Sequence, residues 1–213
     1  MKYFIANWKA NKNYQEMKDW VERFKKIYQS KKDVQTIICP PFPFIPELKK
    51  ELENLENVYL GSQTISSFEK GSYTGEVTAV NLSGLVSYVI IGHSERRKNF
   101  AEKDEDLAIK VNLAKQYQIE PIYCIRDERD VIPQNIKLLA YEPVAAIGTG
   151  FNEAPDKVVA VKKNLNLKEG IIFIYGGSVN ENNVKDYLAT GEIDGFLIGG
   201  VSLDPERFYT IMC

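Results

Sequence analysis

The 213 residues contain a single histidine, His93, placed directly after the apolar run Tyr88-Val89-Ile90-Ile91-Gly92. A run of that kind reads as a buried strand, so His93 falls at a strand's carboxyl end. Histidine has an unperturbed pKa near neutrality, which suits it to proton transfer. Alone it reads more simply as a hydrogen-bonded structural residue, but three other segments keep it company. Lys9 closes Ala6-Asn7-Trp8-Lys9, and Glu142 closes Ala140-Tyr141-Glu142 ahead of Pro143. A carboxylate, an imidazole and an ammonium at strand ends are the groups needed to move a proton and hold developing negative charge. The third segment, Tyr175-Gly176-Gly177-Ser178-Val179, is echoed by Gly199-Gly200; glycine turns like these let backbone N–H groups approach a phosphate. Plainer readings stand beside each. Lys9 reads equally as a solvated surface lysine, Glu142 as a cap or ion-pair partner, and Asn7 as a hydrogen-bonded wall residue. Glu95 and Arg97 read as ion-pair residues that tie loops.

Those side chains need elements to position them. Eight short apolar runs alternate with helical patterns: Tyr3–Trp8, Thr36–Pro40, Val58–Ser62, Tyr88–Gly92, Pro121–Ile125, Leu138–Glu142, Ile171–Tyr175 and Gly195–Ile198. Each is too apolar for a sheet with one wet face, which argues for parallel strands covered by helices. Asn13 suits an N-cap ahead of Met17, Trp20, Val21, Phe24, Ile27 and Tyr28. Pro46 suits the first turn of a helix toward Leu52, and Asp204-Pro205 opens the last one. Asp104 and Asn180 are expected to cap two more. Eight such units in one chain without a linker predict one (β/α)8 barrel domain spanning 1–213, with catalytic groups at the strands' carboxyl ends.

Composition narrows the classes. A net charge of −2 offers no surface for nucleic acid or acidic membrane. No run approaches the length of a membrane span, and Met1-Lys2-Tyr3-Phe4 enters a strand at once, so a cytosolic protein is expected. Cys39, Cys124 and Cys213 are too few and too scattered for a disulfide framework or a zinc site.

Four motifs, in order, carry a resemblance: Asn7-Trp8-Lys9-Ala10-Asn11, Ile91-Gly92-His93-Ser94-Glu95-Arg96-Arg97, Tyr141-Glu142-Pro143-Val144 with Ile147-Gly148-Thr149-Gly150, and Tyr175-Gly176-Gly177-Ser178-Val179. Together with Gly71-Ser72-Tyr73-Thr74-Gly75-Glu76 they resemble triosephosphate isomerases over nearly the whole chain. The resemblance implies the (β/α)8 TIM barrel and cofactor-free interconversion of dihydroxyacetone phosphate and glyceraldehyde 3-phosphate. It implies Glu142 as the base, His93 as a neutral electrophile and Lys9 as the cation; this division of roles is the family's own example of tuned acid–base groups, carried over with the likeness. The start of a helix at Ser94-Glu95 disfavours a positive charge on His93. Asn7, Gly148, Ser178, Gly199 and Gly200 would contact substrate or its phosphate, with no cofactor and no metal. The Thr64–Ala79 loop would enter a second copy, with Thr74 near the partner copy's Asn11 and Glu95, making an isologous homodimer.

The chain departs from the family in places. Between Ile125 and Leu138 lie only 12 residues, so the fifth βα crossover is shortened and its helix is expected to shrink to a turn, baring part of the barrel wall. Arg126-Asp127 stands where relatives usually have Gly-Glu, and Thr64 follows Gln63 where Asn is usual. Ala145 replaces the usual aromatic of the lid, and Phe151-Asn152-Glu153 alters its far hinge; a leakier lid over the Gly148 N–H is the expectation. These changes motivate an alternative, a catalytically impaired barrel kept as a phosphate-ligand binder or scaffold. Another phosphosugar isomerase would share the phosphate turns but not the lysine, histidine and glutamate motifs together.

Overall fold

The computed structural model describes residues 1–143 and 152–213. Eight strands, β1 (Lys2–Asn7), β2 (Val34–Cys39), β3 (Val58–Ser62), β4 (Tyr88–Ile91), β5 (Glu120–Ile125), β6 (Leu138–Tyr141), β7 (Ile172–Tyr175) and β8 (Gly195–Ile198), close in sequence order into a barrel. Every neighbouring pair is parallel, and β8 returns to β1 with Ile5 opposite Leu197. The strands therefore match the expected runs to within a few residues. Alternation along each strand sorts the side chains. Ile5, Ile37, Ile90, Ile122, Ile174 and Leu197 fill the interior, whereas Phe4, Ile38, Val89, Leu139, Phe173 and Phe196 face the helices.

The helices follow from local chemistry. Helix α1 (Tyr14–Ile27) starts on a capping box: Asn13 Oδ1 accepts from the Glu16 N–H at 3.0 Å, and Glu16 Oε2 accepts from the Asn13 N–H at 2.7 Å. Its Met17, Trp20, Val21 and Phe24 are buried, and Trp20 meets Trp8 edge to face at 4.8 Å. Such an aromatic pair contributes about 0.5–1.5 kcal/mol beyond its area. Around the barrel follow α2 (Ile45–Leu52), α3 (Ala79–Leu82), α4 (Ser94–Asn99), α5 (Asp104–Gln116), α6 (Pro155–Asn164), α7 (Val184–Ala189) and α8 (Pro205–Ile211). Asp204 caps α8 by accepting from the Arg207 N–H at 2.9 Å. Two expected caps are displaced. Lys103, not Asp104, occupies the cap position of α5. Helix α7 begins after Asn183 because Asn180 closes a polar turn first, its N–H donating to Asn183 Oδ1 at 2.9 Å.

The crossover from β5 to β6 contains no helix at all, yet the wall beneath it is not bare. Outward-facing Tyr123, Ile125 and Leu139 are each no more than 1% exposed. Residues 126–137 run as a strap of bends and two turns, with Ile136 buried and Ile132 packed against the outer core. A helix advances only about 1.5 Å per residue and non-helical chain up to about 3.3 Å, so twelve residues without a helix reach back along the strand even with two turns in them. Arg126 fixes the strap's start through Asp130, with contacts at 2.5 and 3.0 Å, and the Tyr123 hydroxyl donates to the Val131 carbonyl at 3.0 Å. The strap leaves one apolar side chain in water, Val131, at 64% exposure.

Two of the three thiols are sealed in the barrel interior. Cys39 and Cys124 are fully buried, and burial pushes both thiols up, away from the reactive thiolate. Only Cys213 is exposed. A disulfide reagent should therefore titrate one thiol quickly in the native protein and three after denaturation; two fast thiols would contradict this packing.

Candidate active site

The site is built where strands end. Leaving β1, the chain passes Asn7, 5% exposed, and places Lys9 at φ 52°. A non-glycine residue in the left-handed region is strained and persists only where its surroundings hold it. Two amide side chains do so: Asn7 Oδ1 accepts the Lys9 N–H at 3.1 Å, and Gln63 Nε2 donates to the Lys9 carbonyl at 2.8 Å. Gln63 Nε2 also reaches the Cys39 carbonyl at 3.0 Å, and Thr64 Oγ1 accepts from Lys110 Nζ at 3.1 Å. The Gln63-Thr64 departure thus leaves the loop hydrogen-bonded. The Lys9 ammonium pairs with Glu95 Oε1 at 2.5 Å, both side chains being partly exposed. Glu95, read from the sequence as an ion-pair residue, is therefore also part of the site's charge balance.

His93 follows Gly92, whose φ of 79° turns the chain off β4. It is also the N-cap of α4: its Nδ1 accepts from the Glu95 N–H at 3.2 Å. The Glu95 carboxylate lies 3.9 Å from the same nitrogen, too far for a hydrogen bond. With Nδ1 accepting from a backbone amide, the ring's proton sits on Nε2 and the imidazole is a neutral donor. Nε2 faces Glu142 Oε1 at 3.1 Å, and Glu142 Oε2 accepts the Ser94 N–H at 2.9 Å. Glu142 is 1% exposed, and its own N–H is tied to the Ile125 carbonyl at 2.8 Å. Gly176 makes room for it, since a Cβ there would lie 2.7 Å from Glu142 Cγ. A buried carboxylate held by two donors at a strand end is poised to accept a proton from a substrate carbon and to deliver it elsewhere.

Asn7, Lys9, His93 and Glu142 line one cavity of about 320 Å³. Ser178, Gly199 and Gly200 line the same cavity, and a Cβ at Gly199 would lie 3.4 Å from Lys9 Cε. Asn180, Leu197 and Arg207, which the sequence reading did not assign to the site, also line it. Asn183 Nδ2 donates to the Ser178 carbonyl at 3.0 Å, and the Ser202 hydroxyl to that of Gly199 at 2.6 Å, fixing both glycine-bearing turns. Gly148 and Ala145, with the lid they belong to, lie outside the described residues. The altered far hinge is described from Asn152 onward, and it is well held. Glu153 Oε2 accepts from the Tyr141 hydroxyl at 2.8 Å, the Glu153 N–H donates to the Tyr175 hydroxyl at 3.0 Å, and the Tyr187 hydroxyl donates to the Glu153 carbonyl at 2.5 Å.

Comparison with known proteins agrees with this geometry. The family model described as Triosephosphate isomerase matches residues 2–137 and 131–213. Its two stretches meet at 131–137, inside the strap between β5 and β6. Among similar proteins is a triosephosphate isomerase of Mesomycoplasma hyopneumoniae, strain 232, 36% identical over 240 positions covering 99% of this chain and 98% of that protein. One from Dictyoglomus turgidum is 34% identical over 245 positions, with the same coverage. One from Aquifex aeolicus is 37% identical over 239 positions, covering 97% of this chain and 96% of that protein. All three alignments are longer than the chain's 213 residues, so the relatives carry residues with no counterpart here. With motifs, barrel and relatives in agreement, the chain belongs to the triosephosphate isomerase family.

Proposed function

We propose that residues 1–213 act as one (β/α)8 domain that interconverts dihydroxyacetone phosphate and glyceraldehyde 3-phosphate, with Glu142, His93 and Lys9 as its catalytic groups. The observation that carries the reading is the pairing of buried Glu142 with His93 Nε2 in the same cavity as the Lys9 ammonium. Glu142 takes a proton from the carbon beside the substrate carbonyl, and the C–H electron pair moves to form an enediolate. His93 donates through Nε2–H to the oxygen that becomes negative, and Lys9 faces that charge. His93 gives its Nε2 proton to that oxygen and takes the hydroxyl proton from the adjacent one, and return of the carbon-bound proton from Glu142 to the neighbouring carbon completes the isomerisation with no cofactor or metal. Asn7 shapes the Lys9 turn, and the Ser178, Gly199 and Gly200 segments hold the phosphate, with Gly148 expected to join them from the lid. Nothing favours the reading as an impaired binder, since all three groups converge. A coupled assay with glyceraldehyde 3-phosphate tests the proposal: turnover supports it, and phosphate binding without turnover would favour the binder.

The reading extends to an isologous homodimer in the cytosol. Residues 68–76 of the Thr64–Ala79 loop are exposed, with Phe68 and Tyr73 stacked at 3.7 Å. Beside the site lies a groove of about 540 Å³ that includes Asn11, Glu95 and Phe100, the last 66% exposed. An exposed aromatic loop and an exposed aromatic groove on one chain suit reciprocal exchange between two copies. Among the described residues no helix is long and apolar enough to cross a membrane. Sedimentation at micromolar concentration should give twice the chain mass of 24.3 kDa; an active monomer would contradict the dimer.

A further inference from the structure

The phosphate end of the cavity carries a charge that the roles above leave unused. Arg207, in the first turn of α8, lines it together with Ser178, Asn180 and Gly200. Its guanidinium grips Glu181 in a fork, Nε to Oε1 at 2.6 Å and Nη2 to Oε2 at 3.0 Å. Glu181 follows Asn180 in the loop after β7, so the pair spans the two segments between which the phosphate would sit. Arginine offers five N–H donors, and this fork uses two. The Arg207 side chain is 54% exposed against 24% for Glu181, so the guanidinium is the more accessible member at the rim. The Arg207 hydrogen bond holds the Glu181 carboxyl below its ordinary range, and both groups are ionised at neutral pH.

We propose that Arg207 is a further substrate-positioning residue, a guanidinium that meets the substrate's phosphate dianion at the pocket rim while Glu181 holds and partly offsets its charge. The identity of that substrate rests on the isomerase reading; the charge argument does not. Arginine suits the task because its planar fork can engage a phosphate while remaining bonded to a carboxylate. A purely mechanical latch between loop and helix would also explain the pair, and the two accounts differ in sign. If the charge matters, removing Arg207 leaves Glu181 facing the phosphate and weakens binding. Removing the Glu181 charge frees Arg207 and strengthens it. A latch weakens binding in both cases.

The test uses the full chain at low ionic strength, with calorimetric titration of inorganic phosphate beside KM for glyceraldehyde 3-phosphate. Arg207→Ala should weaken phosphate binding and raise KM by about fivefold, as expected for one rim charge acting on a dianion. Glu181→Gln should tighten both by about twofold or more, and Arg207→Lys, which keeps the charge but loses the fork, should fall between the parent and Arg207→Ala. The differences should shrink with added salt. Equal weakening by Arg207→Ala and Glu181→Gln, or an unaltered Arg207→Ala, overturns the proposal while leaving isomerase activity of the parent intact. A parent that fails to isomerise but binds phosphate with this opposite-sign pattern overturns the isomerase reading and supports Arg207.

Discussion

Glu142→Gln is expected to lower kcat by about 10²–10⁴-fold, the usual contribution of a positioned general base. Glutamine keeps the length and shape of the side chain but cannot accept the proton. It also misfits its surroundings. Both groups that face the carboxylate oxygens, His93 Nε2–H and the Ser94 N–H, are donors, and an amide presents one oxygen and one NH2. Whichever way the amide turns, a donor meets a donor in a buried site, which costs about 1–3 kcal/mol of stability. The variant should therefore be nearly inactive and melt earlier, yet bind inorganic phosphate as the parent does, because the phosphate end of the cavity is untouched. Steady-state kinetics with a thermal melt and a phosphate titration measure all three. Near-normal turnover would remove Glu142 from the base role.

Lys9→Met is expected to lower kcat/KM by about 10²–10³-fold, the loss typical of removing one group aimed at developing negative charge. Methionine preserves most of the stem and leaves the strained φ of 52° no worse than lysine does, so the fold should persist. What changes is the charge. Glu95 loses the ammonium at 2.5 Å and leaves an uncompensated carboxylate beside a site that must receive an anion. The loss should fall on KM as well as kcat, in contrast to Glu142→Gln. Circular dichroism establishes that the fold is kept, and the split between KM and kcat carries the test. A loss below about tenfold would make Lys9 an ordinary partly exposed ion-pair lysine.

Much of this arrangement was legible in the sequence because strand runs and turn glycines are local signals. β3 and β8 coincide with their apolar runs, and Asn13 and Asp204 cap as their types require. Strand ends placed Lys9, His93 and Glu142 together at one end of the barrel, and the family resemblance supplied the roles expected of them. The features that could not be read depend on contacts between distant segments. Glu95 was legible as an ion-pair residue but its partner, a lysine 86 positions away, was not, and Arg207 pairs with a glutamate 26 positions away. His93 as a cap was hidden because histidine is not a customary N-cap; only the geometry shows its Nδ1 accepting from Glu95. The bare wall expected at the short crossover came from assuming a helix was needed to cover it. A helix-free strap with Ile132 and Ile136 packed on the outer core covers the same surface with fewer residues.

The central claim is that a carbon-bound proton passes through Glu142, and isomerisation in D₂O with the product followed by ¹H NMR tests it most directly. Starting from glyceraldehyde 3-phosphate, the enediolate route predicts that a fraction of the dihydroxyacetone phosphate carries deuterium at the carbon that receives the proton, because exchange of the Glu142 carboxyl proton with solvent competes with its return to carbon. Glu142→Gln should give neither product nor label at a comparable rate. Product that forms from Glu142→Gln at the parent's rate and with the parent's label would show the proton passing without that carboxylate, and would contradict the account.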